Sequence, residues 1–367
     1  MTKNPPISSV HAHAYTVPTD LPETDGTLEW DSTTIVIVDI EAGGRQGLGY
    51  SYTHASAATL INHTLAKIVG GQSALHPGAC WRAMQRAVRN LGRSGLVATA
   101  ISAVDIALWD LKAKLFDLPL ASLLGGVRQV VPIYGSGGFT NYTNDQLADQ
   151  LRDWVERDGC RFVKMKIGTD PAQDPSRVAA AKAAIGAAEL FVDANGAYTV
   201  KQAQHLAQEF AAGQDVRWFE EPVSSDDLDG LRRVRDHVRS PMEVAAGEYG
   251  YDIDYFRRML EAGAVDVQQA DATRCGGVTG FLHAATLCDA FHTDLSAHCA
   301  PALHLHLGCA APRLRHLEWF HDHVRIERLF FDGAPVPGNG VIAPDMSRAG
   351  LGLTLRQADA SRFAATP

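Results

Sequence analysis

Apolar and polar residues alternate along much of the first fifty residues. Residues 8–18 alternate with a period of two, and residues 33–42 form a β-branched run that ends in a glycine-rich turn at 43–47. Because successive side chains of a strand point to opposite faces, the pattern predicts a small antiparallel sheet. The polar stretch 18–30 lies between these strands and is either a solvated loop or a lid over a site.

The pattern becomes helical between residues 54 and 116. Its clearest part is a set of apolar residues spaced three or four positions apart, namely Ile101, Val104, Leu108, Leu111 and Leu115. This spacing predicts a helix that buries one face. Residues 117–119 and 125–126, which contain Pro119 and two glycines, end the helical pattern and indicate a domain boundary near residue 126.

From residue 130 onward, short apolar runs each end in a charged residue or a histidine. The runs recur at intervals of 23 to 28 residues and end at Asp193, Glu220, Glu248, Asp271 and His298. That interval accommodates one strand, one helix and two loops, so it predicts a (β/α) barrel with its active site at the carboxyl ends of the strands. A doubly wound sheet would instead gather its ligands at one switch point.

The strand predicted at 162–168 carries two lysines on one face. Lys164 and Lys166 alternate with Val163, Met165 and Ile167, so both ammonium groups point the same way. Taken alone, this is equally typical of an edge strand with a solvated basic face. An earlier strand at 130–138 contains Ser136, and a last strand at 316–320 contains Glu318. The glycine- and proline-rich tail from residue 329 is predicted to return to the first domain.

Composition excludes several classes of function. The 367 residues carry a net charge of −9, which argues against a nucleic-acid partner. No apolar run reaches the length of a membrane span and residues 1–10 lack a signal-peptide core, so no membrane partner and a cytoplasmic location are expected. The six cysteines form no CxxC pair, which favours reduced thiols over disulfides or a zinc site.

Seven motifs together resemble the mandelate racemase subgroup of the enolase superfamily. In chain order they are Lys164-Met165-Lys166, Asp193-Ala194-Asn195, Glu220-Glu221-Pro222, Gly247-Glu248, Asp271 with Gly276-Gly277, His298 and Glu318. Residues 100–112 also resemble a helix of that superfamily's N-terminal domain. The resemblance implies an α+β capping domain over a (β/α)7β modified TIM barrel. We place the capping domain at 1–126, completed by the tail at about 329–367, and the barrel at 127–328.

The resemblance also implies a reaction and a cofactor. The implied reaction is abstraction of the proton α to the carboxylate of a small carboxylate substrate, and the implied cofactor is one Mg²⁺ per chain. The resemblance also implies a homo-oligomer. Asp193, Glu220 and Glu248 are the predicted metal ligands, since three carboxylates at neighbouring strand ends would repel without a hard dication. Taken singly, the Asp193 and Glu220 motifs are also typical of a turn and a solvated strand end. Glu221 is ambiguous, and the family pattern assigns the metal to Glu220.

Two candidate bases face the substrate from different strands. We predict Lys166 as one base and Lys164 as the group that lowers its pKa and contacts the substrate carboxylate, because like charges about 7 Å apart repel. His298 is the second acid or base, oriented by Asp271. Glu318, if protonated, could donate a hydrogen bond to the developing enediolate.

Two substrate contacts and two competing protein classes are also considered. Asn195 and Ser136 are candidate contacts to substrate hydroxyls. The amidohydrolases bind metals through an HxH strand and further histidines, and His11, His13, His304 and His306, with Lys166, invite comparison with them. A barrel that binds a ligand without turnover is an alternative of another class, although a carboxylate–lysine cluster is a poor choice for structure alone.

The reaction predicted from these residues is dehydration of an acid sugar to a 2-keto-3-deoxy acid. Racemisation, epimerisation or cycloisomerisation of a 2-hydroxy acid would use the same core site. An aryl substrate calls for an apolar lid. Residues 18–30 are instead polar, which favours a polyhydroxylated substrate. The polar residues assigned to this role are Thr19, Asp20, Glu23, Thr24, Asp25 and Thr27, with Tyr50, Tyr52 and His54 nearby.

Overall fold

A three-stranded antiparallel sheet and a layer of helices form the N-terminal part of the molecule. The computed structural model describes residues 4–365. The strands are β1 (Ile7–Thr24), β2 (Glu29–Ala42) and β3 (Arg45–Tyr52), in the order β1-β2-β3. The helices are α1 (Ser56–Leu60), α2 (Ala66–Val69), α3 (Pro77–Ala87), α4 (Leu96–Leu115) and α5 (Leu120–Leu123), with a π-helical turn at Ile61–Leu65 between α1 and α2. This is the predicted antiparallel capping domain.

The long helix α4 is buried on nearly every side, whereas its sequence pattern predicted one buried face. One side packs on β2 and β3, and another packs on a barrel helix at Gly277–Ala290. Asp105 of α4 accepts hydrogen bonds from Thr279 of that helix, at 2.8 Å from the backbone N and 2.7 Å from Oγ1. The prediction was wrong because local periodicity cannot reveal a second partner that is distant in sequence.

Eight parallel strands close into a barrel, as predicted. The strands are β4 (Val131–Gly137), β5 (Phe162–Lys166), β6 (Glu189–Asp193), β7 (Val216–Glu220), β8 (Glu243–Ala246), β9 (Val267–Ala270), β10 (Asp294–Ala297) and β11 (Leu314–Phe320). The helices between them are α6 (Asn144–Glu156), α7 (Asp174–Ala184), α8 (Val200–Gly213), α9 (Leu228–His237), α10 (Ile253–Glu261), α11 (Gly277–Ala290) and α12 (Pro301–Ala310), and α13 (His321–Phe330) follows β11. Pairing of β11 with β4 closes the ring.

Apolar and aromatic side chains fill the barrel below the site. Tyr134, Phe191, Trp218 and Val267 form a buried cluster inside the ring. The rings of Phe191 and Trp218 stack with centroids 5.1 Å apart. This packing closes one end of the barrel, so the charged groups gather at the other end, under the capping domain.

The C-terminal tail contacts both the barrel and the capping domain. Its elements are β12 (Phe331–Asp332), β13 (Val341–Ile342), β14 (Thr354–Leu355), α14 (Gln357–Ala360) and a 3₁₀ turn at Ser361–Phe363. β13 pairs with β4, whereas the Ala365 N–H donates to the Ala14 carbonyl of β1. The division into domains at residues 126 and 328 stays a prediction, and its outer ends, residues 1–3 and 366–367, lie outside the described residues.

Two further sequence observations concern the chain as a whole. All six cysteines are buried free thiols. Within residues 4–365, each helix is too short or too polar to cross a bilayer.

Candidate active site

Three carboxylates converge at the carboxyl ends of neighbouring strands. Asp193 and Glu220 are the last residues of β6 and β7, and Glu248 follows β8 by two positions. Between β8 and Glu248, Gly247 has a φ of +135°, which a residue with a Cβ rarely adopts. The glycine therefore allows the sharp turn that brings Glu248 toward the other two carboxylates.

The geometry of these carboxylates fits a small dication with oxygen ligands. One oxygen from each of Asp193, Glu220 and Glu248 lies within 4.8 Å of the others, and all three side chains are buried. Burial and the charge of Asp193 raise the pKa of Glu220 to about 8. The Oε2 atom of Glu248 is buried without a hydrogen-bond partner. A bound Mg²⁺ would relieve both the repulsion and the unsatisfied oxygen.

Glu221 lies beside this cluster, and its backbone has an unusual conformation. Its backbone is in the left-handed region at a φ of +38°, and its Oε1 atom is buried without a hydrogen bond. Burial and the charge of Glu248 raise the pKa of Glu221 well above its usual value. Glu221 is therefore a fourth carboxylate at the edge of the site. The three carboxylates with one oxygen each within 4.8 Å of the others are those of Asp193, Glu220 and Glu248, and Glu221 is not among them.

Both lysines of β5 point into the barrel and bind carboxylates. The Nζ atom of Lys166 lies 2.6 Å from Oδ2 of Asp193. The Nζ atom of Lys164 lies 2.5 Å from Oε1 of Glu220 and 2.8 Å from Oε1 of Glu318. Lys164 is fully enclosed, so in this structure it contacts protein carboxylates and not the cavity where a substrate carboxylate would lie.

The electrostatics of the lysines differ from the expected lowering of the Lys166 pKa. Burial and Lys164 do lower the pKa of Lys166, but the charge of Asp193 outweighs them and raises it well above the usual value. The pKa of Lys164 is likewise raised, because Glu220 and Glu318 outweigh its burial. The carboxylates responsible include two of the predicted metal ligands, so the lysine electrostatics and the metal site are coupled.

Glu318 is held as a carboxylate, not in the protonated form suggested from the sequence. Burial would raise its pKa, but Lys164 and His298 hold the pKa well below its usual value. Ser136 donates from Oγ to Oε1 of Glu318 at 2.5 Å, and the Cys299 N–H donates to Oε2 at 3.2 Å. Ser136 therefore orients Glu318 and lies outside the cavity lining, in contrast to its predicted role as a substrate contact.

His298 and Asp271 form the pair expected from their strand positions. The Nδ1–H of His298 donates to Oδ2 of Asp271 over 2.9 Å, and both residues are buried. Nε2 lies 3.3 Å from Oε2 of Glu248, without a hydrogen bond between them. Burial lowers the pKa of His298, but Glu248 and Glu318 outweigh it and raise the pKa above its usual value. The pair thus leaves Nε2 as the atom available for proton transfer.

A cavity of about 420 Å³ lies beneath the capping domain at the carboxyl ends of the strands. Lys166, His298, Glu248, Glu318 and Asn195 line it. The Oδ1 atom of Asn195 is buried without a partner, so the side chain is free to bind a polar ligand.

The stretch 18–30 covers the cavity as the tip of the β1–β2 hairpin, and it is less polar on its inner side than predicted. Asp25, Leu28 and Trp30 face the cavity, with Tyr52 and His54 of the capping domain. The side chain of Asp25 accepts hydrogen bonds from the N–H groups of Thr27 and Leu28. The other polar residues assigned to the lid from the sequence lie outside the lining. Tyr50 lies outside it as well, and its hydroxyl donates to Oε1 of the buried Glu327.

Several cavity residues were missed by sequence reasoning. Arg274 donates from Nη1 to Oε1 of Glu248 at 3.1 Å, and its Nε atom lies 3.7 Å from Oδ2 of Asp271. Its position three residues after Asp271 could have indicated from the sequence that Arg274 lies at the site. Cys299 and His323 also line the cavity, and His323 accepts a hydrogen bond from the Ala300 N–H. Only their spatial neighbours reveal those positions.

The histidines that suggested an amidohydrolase site are not gathered together. His11 and His13 are exposed on β1. His304 is buried in α12, where Nδ1 donates to the Cys299 carbonyl and Nε2 accepts from the Ala272 N–H. His306 bonds the Leu351 carbonyl. Their hydrogen bonds to the backbone are those of structural histidines, so this alternative is wrong.

Two family models match most of the chain. The model described as "Mandelate racemase / muconate lactonizing enzyme, N-terminal domain" matches residues 14–125. The model described as "Enolase C-terminal domain-like" matches residues 146–360. The matched regions include most of the capping sheet and all but the first strand of the barrel.

Characterised relatives include acid-sugar enzymes of two reaction types. A D-galactarolactone cycloisomerase from Agrobacterium fabrum is 35% identical over 286 residues, which cover 77% of this chain and 75% of the relative. An L-talarate/galactarate dehydratase from Salmonella typhimurium is 31% identical over 340 residues, covering 88% and 81%. The alignments thus cover most of each relative, and the two relatives differ in the reaction named for them.

Solved structures share the whole fold. A mandelate racemase/muconate lactonizing enzyme-like protein from Rubrobacter xylanophilus is 50% identical and superposes with a TM-score of 0.96, covering 98% of this chain and all of its own. A racemase from Streptomyces coelicolor with bound magnesium is 32% identical, with a TM-score of 0.91 and coverage of 98% and 100%. Magnesium is therefore the metal found with this fold.

Proposed function

This chain belongs to the mandelate racemase/muconate lactonizing enzyme family of the enolase superfamily, and on that premise we propose that it dehydrates an acid sugar to a 2-keto-3-deoxy acid. The observation that carries the proposal is one cavity lined by Lys166, His298 and Glu248, with the carboxylates of Asp193 and Glu220 gathered beside that of Glu248. The two candidate proton-transfer groups come from β5 and the end of β10, which are separated by β4 and β11 on one side and four strands on the other. They can thus address a substrate from different sides.

Asp193, Glu220 and Glu248 would hold the Mg²⁺ that members of this family use. When bound, the cation supplies positive charge where the substrate carboxylate becomes an enediolate. Arg274 donates a hydrogen bond to Oε1 of Glu248, whereas Oε2 has no partner, and this bond orients the carboxylate. Support of this kind fixes the ligand geometry before the substrate arrives.

Lys166 is the proposed base for the α-proton. It is the lysine of β5 that reaches the cavity, whereas Lys164 stays enclosed behind it. Lys164 holds Glu220 and Glu318 at fixed distances, so we assign it a positioning role. A base must be neutral, and a cation on Asp193 would favour the neutral amine by offsetting the charge that raises the Lys166 pKa. Removal of the α-proton by that amine leaves the electron pair in the enediolate of the substrate.

His298 is the proposed acid for the leaving hydroxyl at the β-carbon. Asp271 accepts its Nδ1–H, which directs Nε2 toward the cavity. Transfer of the Nε2 proton to the β-hydroxyl releases water, and the enol that remains tautomerises to the 2-keto-3-deoxy acid. Asn195, with its unpaired Oδ1, is the proposed contact to a substrate hydroxyl.

A second candidate, cycloisomerisation of an acid-sugar lactone, is favoured by the identity to the D-galactarolactone cycloisomerase. In both reactions a base removes the proton α to a carboxylate, and they differ in which β-oxygen leaves. For dehydration the leaving group is a free hydroxyl, and for cycloisomerisation it is the ring oxygen of the lactone. The residues proposed above serve either outcome.

The deciding experiment is a screen of mono- and diacid sugars and their lactones with Mg²⁺. We expect a 2-keto-3-deoxy acid that is detected with semicarbazide. A lactone consumed without release of water would support cycloisomerisation, and loss of optical rotation at constant composition would support a racemase. If no acid exchanges its α-proton with D₂O in the presence of Mg²⁺, the protein is a binder and the enzymatic proposal fails.

A further inference from the structure

An irregularity in the β1–β2 hairpin brings two acidic residues of the lid to the barrel. Pro18 pairs with Ser32 and Glu23 pairs with Trp30, so five steps along β1 face two along β2. The extra residues bulge toward α13, where Asp20 meets His321 with 2.9 Å between Oδ2 and Nε2. These residues carry no role in the proposed reaction.

Asp20, Glu23 and His321 form a compact set of potential metal ligands. One ligand atom from each lies within 4.8 Å of the others. Asp20 and Glu23 come from the hairpin, whereas His321 begins the helix after β11. Two carboxylates and one imidazole suit a first-row transition-metal dication better than Mg²⁺, which prefers oxygen ligands alone.

An unsatisfied carboxylate oxygen within the set points independently to a ligand. Glu23 is fully buried, and its Oε2 atom accepts a hydrogen bond from Nε1 of Trp30 at 2.8 Å. Its Oε1 atom has no partner, and neither has Oδ2 of the fully buried Asp322 next to His321. Arg325 does not relieve this, because it bonds the other oxygen of Asp322 and the Pro18 carbonyl. Buried carboxylate oxygens without partners are rare in folded proteins.

We propose that Asp20, Glu23 and His321 bind a divalent transition-metal ion of the Mn²⁺ or Zn²⁺ class, at a site separate from the catalytic carboxylates. The bound ion would join the lid hairpin to the segment that follows β11, the strand carrying Glu318. It neutralises the unpaired Glu23 oxygen and holds the lid over the cavity. Water completes the coordination on the side of Asp20, whose side chain is 47% exposed.

The competing explanation is that Glu23 is protonated. Burial and the charge of Asp322 raise the pKa of Glu23 to about 9. Protonation of Oε1 would, however, leave a buried O–H donor without a hydrogen-bond acceptor among residues 4–365. The two explanations predict different numbers of metal ions bound per chain.

The test is a Mn²⁺ titration of the whole protein, with free Mn²⁺ measured by electron paramagnetic resonance. We expect two Mn²⁺ ions per chain for the wild type and one for Glu23→Gln, which keeps the volume and the acceptor for Trp30. Glu29→Gln is the matched control, because Glu29 is an exposed glutamate of the same hairpin, and it should still bind two. Glu220→Gln should lose only the catalytic ion, so the two metal assignments fail separately.

A second variant tests the site without changing the buried Glu23, so the result does not depend on whether Glu23→Gln folds. His321→Gln changes a partly exposed side chain at a helix start. We expect it to lose one Mn²⁺ and, in a spin-echo experiment, the nitrogen coupling of that ion. A wild type that binds one Mn²⁺, or a Glu23→Gln variant that still binds two, overturns the proposal.

Discussion

His298 and Asp271 are separated by 27 residues in the chain, yet Nδ1 of His298 lies 2.9 Å from Oδ2 of Asp271 at the mouth of the barrel. The contact arises because β9 and β10 are neighbours and Asp271 and His298 each follow their strand directly. Because the carboxylate accepts Nδ1–H, it selects the tautomer of the ring and its orientation.

Replacing Asp271 with asparagine should impair proton transfer by His298 and leave the fold intact. The amide can present its NH₂ to Nδ1 and so favour the wrong tautomer. We expect turnover to fall by about 10²- to 10⁴-fold, the usual contribution of a general acid or base. Steady-state kinetics check this, with circular dichroism as the control for folding. Unchanged turnover would exclude the pair from the reaction.

Lys166 and His298 should divide α-proton exchange between the two configurations of a substrate. Lys166→Ala should abolish exchange with D₂O from one configuration, and His298→Asn from the other, because the groups reach the cavity from different strands. Proton NMR of a bound acid in D₂O with Mg²⁺ measures the exchange. If each variant still exchanges both configurations, neither residue is a base.

Glu220→Gln should weaken Mg²⁺ binding and abolish turnover without unfolding the protein. The change removes one ligand charge and little volume, and it also removes the charge that holds Lys164 at 2.5 Å. Isothermal titration with Mg²⁺ and an activity assay measure the two effects. Glu189→Gln is the control, since Glu189 is exposed at the opposite end of β6 and should bind Mg²⁺ normally. Full activity of Glu220→Gln would disprove the ligand assignment.

Glu327 should make stability depend on pH in the neutral range. It is buried between the barrel and the capping domain, where it accepts from Tyr50 Oη at 2.6 Å and from the Ala302 N–H at 3.0 Å. Burial raises its pKa from 4.5 to about 8. The folded protein therefore binds one more proton than the unfolded chain between these values, and the stabilisation is lost as pH rises toward 8.

The variant Glu327→Gln should remove this dependence, since an amide imitates the protonated acid. Relative to the variant, the wild-type free energy of unfolding should fall between about pH 5 and about pH 8, by at most about 1.4 kcal/mol per pH unit. Urea denaturation at both pH values measures the difference. Glu41→Gln, at an exposed position on β2, should follow the wild type. Parallel curves for Glu327→Gln and the wild type would contradict the prediction.

The barrel and the strand-end residues could be predicted from the sequence because both depend on local order. An interval of 23 to 28 residues between Asp193, Glu220, Glu248, Asp271 and His298 requires only that each strand, helix and loop have its usual length. In a parallel barrel, all such positions then meet on one face. The same reasoning accounts for the two lysines of β5, whose alternation places both on the inner side.

The partners of these residues were decided by the tertiary structure. Lys164 was predicted to contact the substrate carboxylate, and Glu318, if protonated, to donate a hydrogen bond to the enediolate, yet the two side chains pair with each other at 2.8 Å. Likewise, α4 packs on its own domain's sheet on one side, and α11, which follows it by more than 150 residues, covers another side. The lid presents Trp30 and Leu28 to the cavity, whereas Glu23 turns away. Periodicity specifies which side of an element a residue lies on. Which groups meet there, and hence their charge states, depends on contacts between segments that are distant in the chain.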